Sequence, residues 1–179
     1  MKEEQTSARW MLASLVALLL VTRLAREVLG VHLPDAAVPT FFLAGCLGLG
    51  SRSLAVLLLA AVGVDLVQFA LGASTACVSP GYPLLFVAYA VSWGTGALCQ
   101  SAKLSWKAAA VLLTGVVAFA LTSGGYYYLS GKFPQPAFAE FVVRSQRYLP
   151  DYMINVLLYA GPGLLLVEAL QRTAGRERA

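Results

Sequence analysis

Six long apolar segments follow one another along most of this chain and constrain its fold more than any other feature. They cover residues 9–29, 38–49, 54–71, 83–99, 108–128 and 152–170. A helix needs roughly 20 residues to cross the hydrocarbon core of a bilayer, and lipid offers no partner for backbone groups outside a helix or a closed barrel. The sequence therefore predicts an all-α integral membrane bundle of six transmembrane helices.

The composition agrees with a bilayer environment, because 59% of the residues are hydrophobic and only 12% are charged. A soluble globule of this size would need more polar surface. No polar stretch is long enough to fold separately, so we expect one transmembrane domain over residues 1–179. The net charge of +4 is scattered along the chain instead of clustering on one face, which excludes a nucleic-acid partner.

Lys2 and Arg9 precede the first apolar segment, as basic residues do in a signal peptide. Arg23, Arg26 and Glu27 then stand where a cleavage site would require small residues. We therefore expect a retained first helix, with Arg23 and Glu27 paired at its end.

Two parts of the chain are expected to deviate from simple membrane spans. The second apolar segment contains Pro39 and is rich in glycine, so we expect it to be short and either tilted or partly irregular. Residues 130–150 alternate apolar and aromatic side chains with Glu140, Arg144 and Arg147. That pattern predicts an interfacial helix or a structured cap before the sixth span.

Six spans place eight Lys and Arg residues on the side of the termini and five on the other side. Cytoplasmic loops carry an excess of Lys and Arg, so both termini are expected in the cytoplasm. The loops after the first, third and fifth helices then share the outer face. Ala13 and Ala17 are four residues apart on the first helix, where they serve either internal packing, which is the commoner case, or a partner helix.

The loop after the third segment, residues 72–83, carries no charge. Its turn-forming residues are Gly72, Pro80, Gly81 and Pro83, and its hydroxyl-bearing residues are Ser74, Thr75, Ser79 and Tyr82. The first group forbids a continued helix, and the second supplies neutral donors and acceptors. Cys77 lies at the centre of this loop. An unpaired cysteine is usually a small hydrophobic residue, but a position outside the helices and among hydroxyls favours a ligand-binding role.

Phe86, Tyr89 and Trp93 follow on the next helix at spacings of three and four, which places their rings on one face beneath the loop. Such a stripe usually serves packing or an interfacial belt. Cys46 and Cys99 lie within apolar segments, and we expect both to act as small hydrophobic residues.

Asp65 lies inside the third apolar segment, where a carboxylate costs about 2.5 to 3.5 kcal/mol on insertion scales. It precedes Gly72 by seven residues, or about 10 Å along a helix, and therefore lies beneath the outer loop. Gln68 and Phe69 share its helix face. Asp65 is thus either the floor of a pocket or the acceptor of a hydrogen bond from Asn155 or from a hydroxyl on another helix.

Tyr126, Tyr127 and Tyr128 close the fifth helix at the same outer face. An anchor at the membrane interface explains these three tyrosines. Together with Arg144 and Arg147 they also fit the lid of a large ligand that carries amides.

The loop and the helix after it contain the pattern G-x-S-x-x-C-x-S-P-x-Y. Its fixed positions are Gly72, Ser74, Cys77, Ser79, Pro80 and Tyr82, followed by Tyr89 and Trp93. With this pattern at its centre, the segment from Phe41 to Gly96 resembles the BtuM-type cobalamin transporters. These are relatives of the substrate-binding S-components of energy-coupling-factor (ECF) transporters. The resemblance covers about a third of the chain.

This resemblance implies an S-component-like fold of six helices in a bacterial inner membrane, which binds cobalamin (vitamin B12) or a related corrinoid from the periplasm. It assigns Cys77 as an axial ligand of the cobalt, and sulfur is a soft ligand whose proton a bound metal displaces. It also implies that Cys77 can displace the upper cyanide of cyanocobalamin, so enzymatic activity remains an open question. No cofactor of the chain's own is expected.

In such a site, aromatic side chains would pack on the flat corrin ring and hydroxyls would bond its peripheral amides. The expected substrate-binding residues are Asp65, Ser74, Thr75, Ser79, Tyr82, Phe86, Tyr89, Tyr126, Arg144 and Arg147. No phosphate-binding loop of the form G-x-x-x-x-G-K-[ST] occurs. Any ATP hydrolysis would therefore come from an energy-coupling module, which we expect to dock on the first helix at Ala13 and Ala17.

Two alternatives from other classes remain open. The first is a small membrane scaffold that binds partner helices through Ala13 and Ala17 and holds no small molecule. The second is a membrane-embedded thiol enzyme with Cys77 as nucleophile and His32, the only histidine of the chain, as its base. A surface position is the simpler account of His32.

Overall fold

The computed structural model describes residues 2–31, 33–72 and 79–176. These residues form six helices: α1 (Lys2–Leu29), α2 (Ala37–Cys46), α3 (Ser51–Ala70), α4 (Pro83–Leu98), α5 (Leu104–Leu129) and α6 (Phe138–Arg176). No strand occurs among them, so the all-α prediction is confirmed for the described part of the chain.

Four helices of the described part are long and apolar enough to cross a membrane. Their apolar stretches are Gln5–Ala25, Ser51–Ala70, Leu104–Leu129 and Phe138–Thr173. α2 and α4, with 10 and 16 residues, are shorter than the roughly 20 residues of a straight span. The helical bundle is therefore of the kind expected in a membrane, whereas six crossings of the bilayer stay a prediction.

The segment expected to form a separate interfacial helix or cap is part of α6. Residues 138–150 make the first turns of α6, which has 39 residues and is about 58 Å long. Glu140 and Arg144 form a salt bridge one turn apart, with a nitrogen-to-oxygen distance of 2.7 Å, and it supports the helix ahead of Pro150. The expectation of a separate element is wrong, because a proline disfavours the turn before it but does not end a helix that other contacts hold.

α2 lies at the centre of the bundle, and all ten of its residues are buried. A helix that is apolar on every side is stable only when it is enclosed. Two glycines bring its backbone against that of α4. A Cβ atom at Gly45 would overlap the carbonyl oxygen of Trp93, and one at Gly96 would overlap that of Phe42. The second apolar segment is short, as predicted, and it forms the core of the bundle.

The other helices are arranged around α2 in two groups. α2 packs on α4 and α6, and α5 packs on the same two helices. α1 and α3 pack on each other and make fewer contacts with the rest of the bundle. The end of α3, the start of α4, the end of α5 and the start of α6 meet at the same end of the molecule, where they surround a cavity.

Ala13 and Ala17 are exposed on the surface of α1. Trp10, one turn before Ala13, is also largely exposed. This face of α1 therefore does not pack inside the chain, although internal packing is the commoner role of such small residues. The docking of a partner on this face stays a prediction.

Candidate functional site

The cavity has a volume of about 1060 Å³ and is lined mainly by aromatic rings and hydroxyl groups. The rings belong to Phe69, Tyr82, Phe119, Tyr126, Tyr127, Phe133, Phe141 and Tyr148, and the smaller hydroxyl side chains are Ser79, Thr122, Ser123 and Ser145. Two arginines, Arg23 and Arg144, and one carboxylate, Asp65, complete the polar wall. A large, flat molecule with polar groups at its edge matches such a lining.

Asp65 lies at the floor of the cavity and joins three elements. Its Oδ1 atom is 3.1 Å from Nη1 of Arg23 on α1, and its Oδ2 atom accepts a hydrogen bond from the hydroxyl of Tyr82. The Asp65 side chain is only 9% exposed, so its charge depends on these partners. Both alternatives for Asp65 are therefore realised, since it lines the cavity and also accepts a hydroxyl hydrogen bond from a neighbouring element.

The turn before α4 sets the position of Tyr82. The backbone N–H of Tyr82 donates to the carbonyl of Ser79 at 2.8 Å, which closes the turn. Pro83 then begins α4, where the missing N–H of proline leaves no hydrogen bond unmade. The turn and the helix start together direct the Tyr82 hydroxyl to Asp65 on α3.

Arg23 has two carboxylate partners that the sequence did not indicate. Its guanidinium group lies between Asp65 and Asp35, the latter 3.5 Å from Nε, and the side chain is 13% exposed. Its backbone carbonyl accepts a hydrogen bond from Nε2 of Gln68 at 2.6 Å. The Glu27 side chain lies outside the described residues. The local spacing of four residues suggested Glu27, whereas the bundle brings two distant carboxylates to Arg23.

Arg144 forms the rim of the cavity together with its aromatic neighbours. It donates two hydrogen bonds to Oε1 of Glu140, at 2.7 and 2.9 Å, and lies 4.8 Å from the ring centre of Phe133. The hydroxyl of Tyr127 donates to the other oxygen of Glu140 at 3.0 Å. Each arginine of the cavity thus has a carboxylate partner, so the lining favours a ligand of low net charge over an anion.

Five of the expected site residues line the cavity: Asp65, Ser79, Tyr82, Tyr126 and Arg144. Phe86 lies behind them and packs edge-on against the ring of Tyr82, with ring centres 5.3 Å apart. Arg147 is exposed, and its Cζ atom lies 5.9 Å from the ring centre of Tyr148. Whether the five lining residues bind a substrate stays a prediction.

Tyr89 is a core residue and does not line the cavity. It is 1% exposed, and its ring stacks on that of Phe41 in α2 with centres 4.6 Å apart. Trp93, the next ring of the stripe, donates from Nε1 to the hydroxyl of Ser53 on α3 at 3.1 Å. Tyr89 and Trp93 therefore face other helices, and a contact between Tyr89 and a ligand stays a prediction.

The central part of the neutral loop lies outside the described residues. This part includes Ser74, Thr75 and Cys77, and His32 also lies outside the described ranges. The residues on either side of the segment 73–78 are described, and both Gly72 and Ser79 line the cavity.

Several polar residues of the cavity were not predicted from the sequence. Thr122 and Ser123 interrupt the apolar run of α5 just before two glycines, which was a usable signal. Ser145 on α6 gave no such signal, because it lies among charged and polar neighbours. Its hydroxyl is buried and has no hydrogen-bond partner among the described residues, although the side chain lines the cavity. An unpaired hydroxyl in this position suits a ligand that supplies its partner.

No known family model matches this chain, and no curated protein matches it either. The function of the cavity is therefore inferred from its own residues and from the loop pattern. What the fold and the cavity define together is a helical bundle of the membrane type with a large cavity at one end.

Proposed function

We propose that this chain binds cobalamin or a related corrinoid and takes it up across a bacterial inner membrane. One observation carries the proposal. Gly72 and Ser79, two residues of the loop pattern shared with the BtuM-type transporters, both line the large cavity. Cys77 is two residues from Ser79, and two residues of chain span at most about 7 Å. Cys77 is therefore close in sequence to a residue of the cavity lining, and this closeness supports its thiol as the proposed ligand.

The lining of the cavity supports a corrinoid as the ligand. A corrin has a broad apolar face, which the rings of Tyr82 and Tyr126 suit, and a fringe of amides, which hydroxyls and arginines can bond. The buried hydroxyl of Ser145, which has no partner among the described residues, suits an amide of this fringe. Pairing of Arg23 and Arg144 with carboxylates suits a ligand without a large net charge.

The thiolate of Cys77 is the proposed axial ligand of the cobalt. Thiolate is a soft ligand, and coordination to a metal ion removes the thiol proton. With cyanocobalamin as substrate, the sulfur donates an electron pair to cobalt, and cyanide leaves with the pair of the cobalt–carbon bond and takes up the thiol proton to give hydrogen cyanide. The oxidation state of the cobalt does not change, so this exchange needs neither an oxidant nor a reductant.

The proposed topology has six spans, both termini in the cytoplasm and the cavity at the outer end. The charge count of the loops supports this orientation. Uptake needs a source of energy, and the exposed small residues Ala13 and Ala17 on α1 suit the docking of an energy-coupling partner.

The visible absorption spectrum of protein purified from cells supplied with cobalamin tests this function. We expect the wild-type protein to carry a corrinoid, with a spectrum that reports sulfur ligation. Cys77→Ala should lose or change that spectrum, whereas the matched control Cys99→Ala should keep it, because Cys99 ends α4 at the opposite end of the bundle from the cavity. Protein that binds no corrinoid under saturating supply would contradict the proposal.

A membrane scaffold is the second candidate function, and the exposure of Ala13 and Ala17 favours it. A scaffold does not explain a cavity of about 1060 Å³ whose wall holds a buried hydroxyl that no described residue pairs. Equilibrium dialysis against cobalamin separates the two functions, since a scaffold should show no saturable binding.

A further inference from the structure

The helices α2, α4, α5 and α6 form one closely packed unit, which we call the block. Backbone contacts at glycines join its members. Gly45 and Gly96 join α2 to α4, and a Cβ atom at Gly81, just before α4, would lie only 2.5 Å from the carbonyl oxygen of Gly125 on α5. Sliding or separation of such helices would break backbone contacts, so the block is expected to move as one body.

Polar contacts also close the block at the end opposite the cavity. Lys107 of α5 is 1% exposed and donates to the side-chain oxygen of Gln171 on α6 at 2.5 Å. The amide of Gln171 donates to the carbonyls of Cys46 at 3.2 Å and Gln100 at 3.1 Å. One side chain therefore ties α6 to α2 and to the turn between α4 and α5.

The pair α1–α3 is held together by a different set of bonds. Arg23 of α1 contacts Asp65 of α3, and Gln68 of α3 donates to the carbonyl of Arg23. Leu57 and Ala61 of α3 are buried in the core that this helix shares with the block. α1 and α3 thus form a second unit.

Among the described residues, two hydrogen bonds between side chains join α3 to the block, and the Arg23–Asp35 salt bridge ties α1 to the segment that leads into α2. The Tyr82–Asp65 bond lies at the cavity end, and the Trp93–Ser53 bond lies at the opposite end. At that opposite end only residues 47–50 connect α2 to α3, whereas residues 30–36 connect α1 to α2 at the cavity end. The shorter connection restrains α3 more tightly, so the opposite end is the natural pivot.

The cavity lies along the boundary of the two units. Asp65, Gln68 and Phe69 of α3 form one wall, and residues of α5 and α6 form the wall across from it. A change in the angle between the pair and the block would therefore change the width of the cavity directly. Bodies that pack tightly inside and contact each other loosely move by hinge or shear displacement.

We infer that the α1–α3 pair swings as a unit against the block, and that the Tyr82–Asp65 hydrogen bond is the latch that holds the cavity narrow. The pivot lies near Ser53 and Trp93. This inference rests on the proposed function only for the purpose of the motion. That purpose is to admit a ligand as large as a macrocycle.

Distances between pairs of spin labels in the ligand-free protein test the swing. The protein for labelling carries alanine at its three native cysteines. One label replaces Val143, which is 66% exposed on α6, and the other replaces Leu66, which is 62% exposed on α3. A second pair, at Val143 and Val87, lies within the block. Pulsed electron paramagnetic resonance reads each distance before and after Tyr82→Phe, in protein whose helix content and gel-filtration profile match the parent.

We expect Tyr82→Phe to lengthen the Leu66–Val143 distance by about 2 Å or more, the scale of movements between packed helices, and to leave the Val87–Val143 distance unchanged. The matched control is Ser53→Ala, which removes the other hydrogen bond and should move neither distance. Equal changes in both distances, no change in either, or the same change in Ser53→Ala would overturn the swing. Because no corrinoid is added, failure of the proposed substrate leaves this result unaffected.

Discussion

The two ends of the bundle each bury a network of charged side chains, but the networks differ in what they face. At the cavity end, Arg23, Asp65 and Tyr82 line an open cavity and join two units of the fold. At the opposite end, Lys107 and Gln171 pair with neighbouring side chains and with carbonyls of other elements. Charge buried between helices is costly unless it is fully paired. The enclosed network therefore serves stability, whereas the network at the cavity can also serve a ligand.

The largest effect is expected at the enclosed network. Glu168→Gln removes the carboxylate 3.6 Å from the ammonium group of Lys107, which then stays buried without a counter-ion. We expect the free energy of unfolding to fall by about 3 kcal/mol, with little change in the affinity of the folded protein for cobalamin. Thermal unfolding in detergent measures the loss. The control is Arg172→Gln, which breaks an exposed pair with the same Glu168 and should cost about 0.5 kcal/mol or less. An equal loss in both variants would remove the distinction between the two ends.

A smaller effect, on binding instead of stability, is expected at the cavity. Asp65→Asn keeps an acceptor for the Tyr82 hydroxyl but leaves Arg23 with Asp35 as its remaining carboxylate partner. We expect the affinity for cobalamin to fall about 30-fold, which corresponds to about 2 kcal/mol. The matched control is Asp35→Asn, since Asp35 is 52% exposed and asparagine can accept the same hydrogen bond from the N–H of Ala37. Equilibrium dialysis of both variants decides the matter, and equal affinities would place Asp65 outside the binding site.

The smallest effect is expected at Ser145. Ser145→Ala removes a buried hydroxyl that has no partner among the described residues. We expect the affinity for cobalamin to fall about fivefold, the loss of one neutral hydrogen bond, while the ligand-free protein becomes no less stable. A titration and a thermal melt of the same sample measure the two quantities. Unchanged affinity would show that this hydroxyl does not meet the ligand.

The helical fold could be predicted well because apolar segments in a chain with so few charges have only one way to pair their backbone groups. All six predicted segments share most of their length with the observed helices. The boundary that the sequence did not indicate is the start of α6 at residue 138, where the Glu140–Arg144 pair and the contacts of Phe141 support the helix ahead of Pro150. A proline shows where one hydrogen bond is lost, but tertiary contacts decide whether the helix continues.

The cavity could be predicted only in part. The polar residues Asp65, Ser79 and Tyr82 were identifiable because each stands out against an apolar or helix-breaking context. The partner of Arg23 was not identifiable, since residues 23 and 65 meet only through the packing of α1 on α3. The stacking of Tyr89 on α2 was not identifiable, because helical spacing places a ring on a face without saying whether that face meets a ligand or another helix.

A titration of the purified, ligand-free protein with cyanocobalamin, followed by visible absorption, tests the central claim most directly. We predict saturation at one corrinoid per chain, with a spectral change that Cys77→Ala abolishes and Cys99→Ala retains. The absence of a saturable change in the wild-type protein, or an identical change in Cys77→Ala, would contradict a corrinoid site built around that thiol.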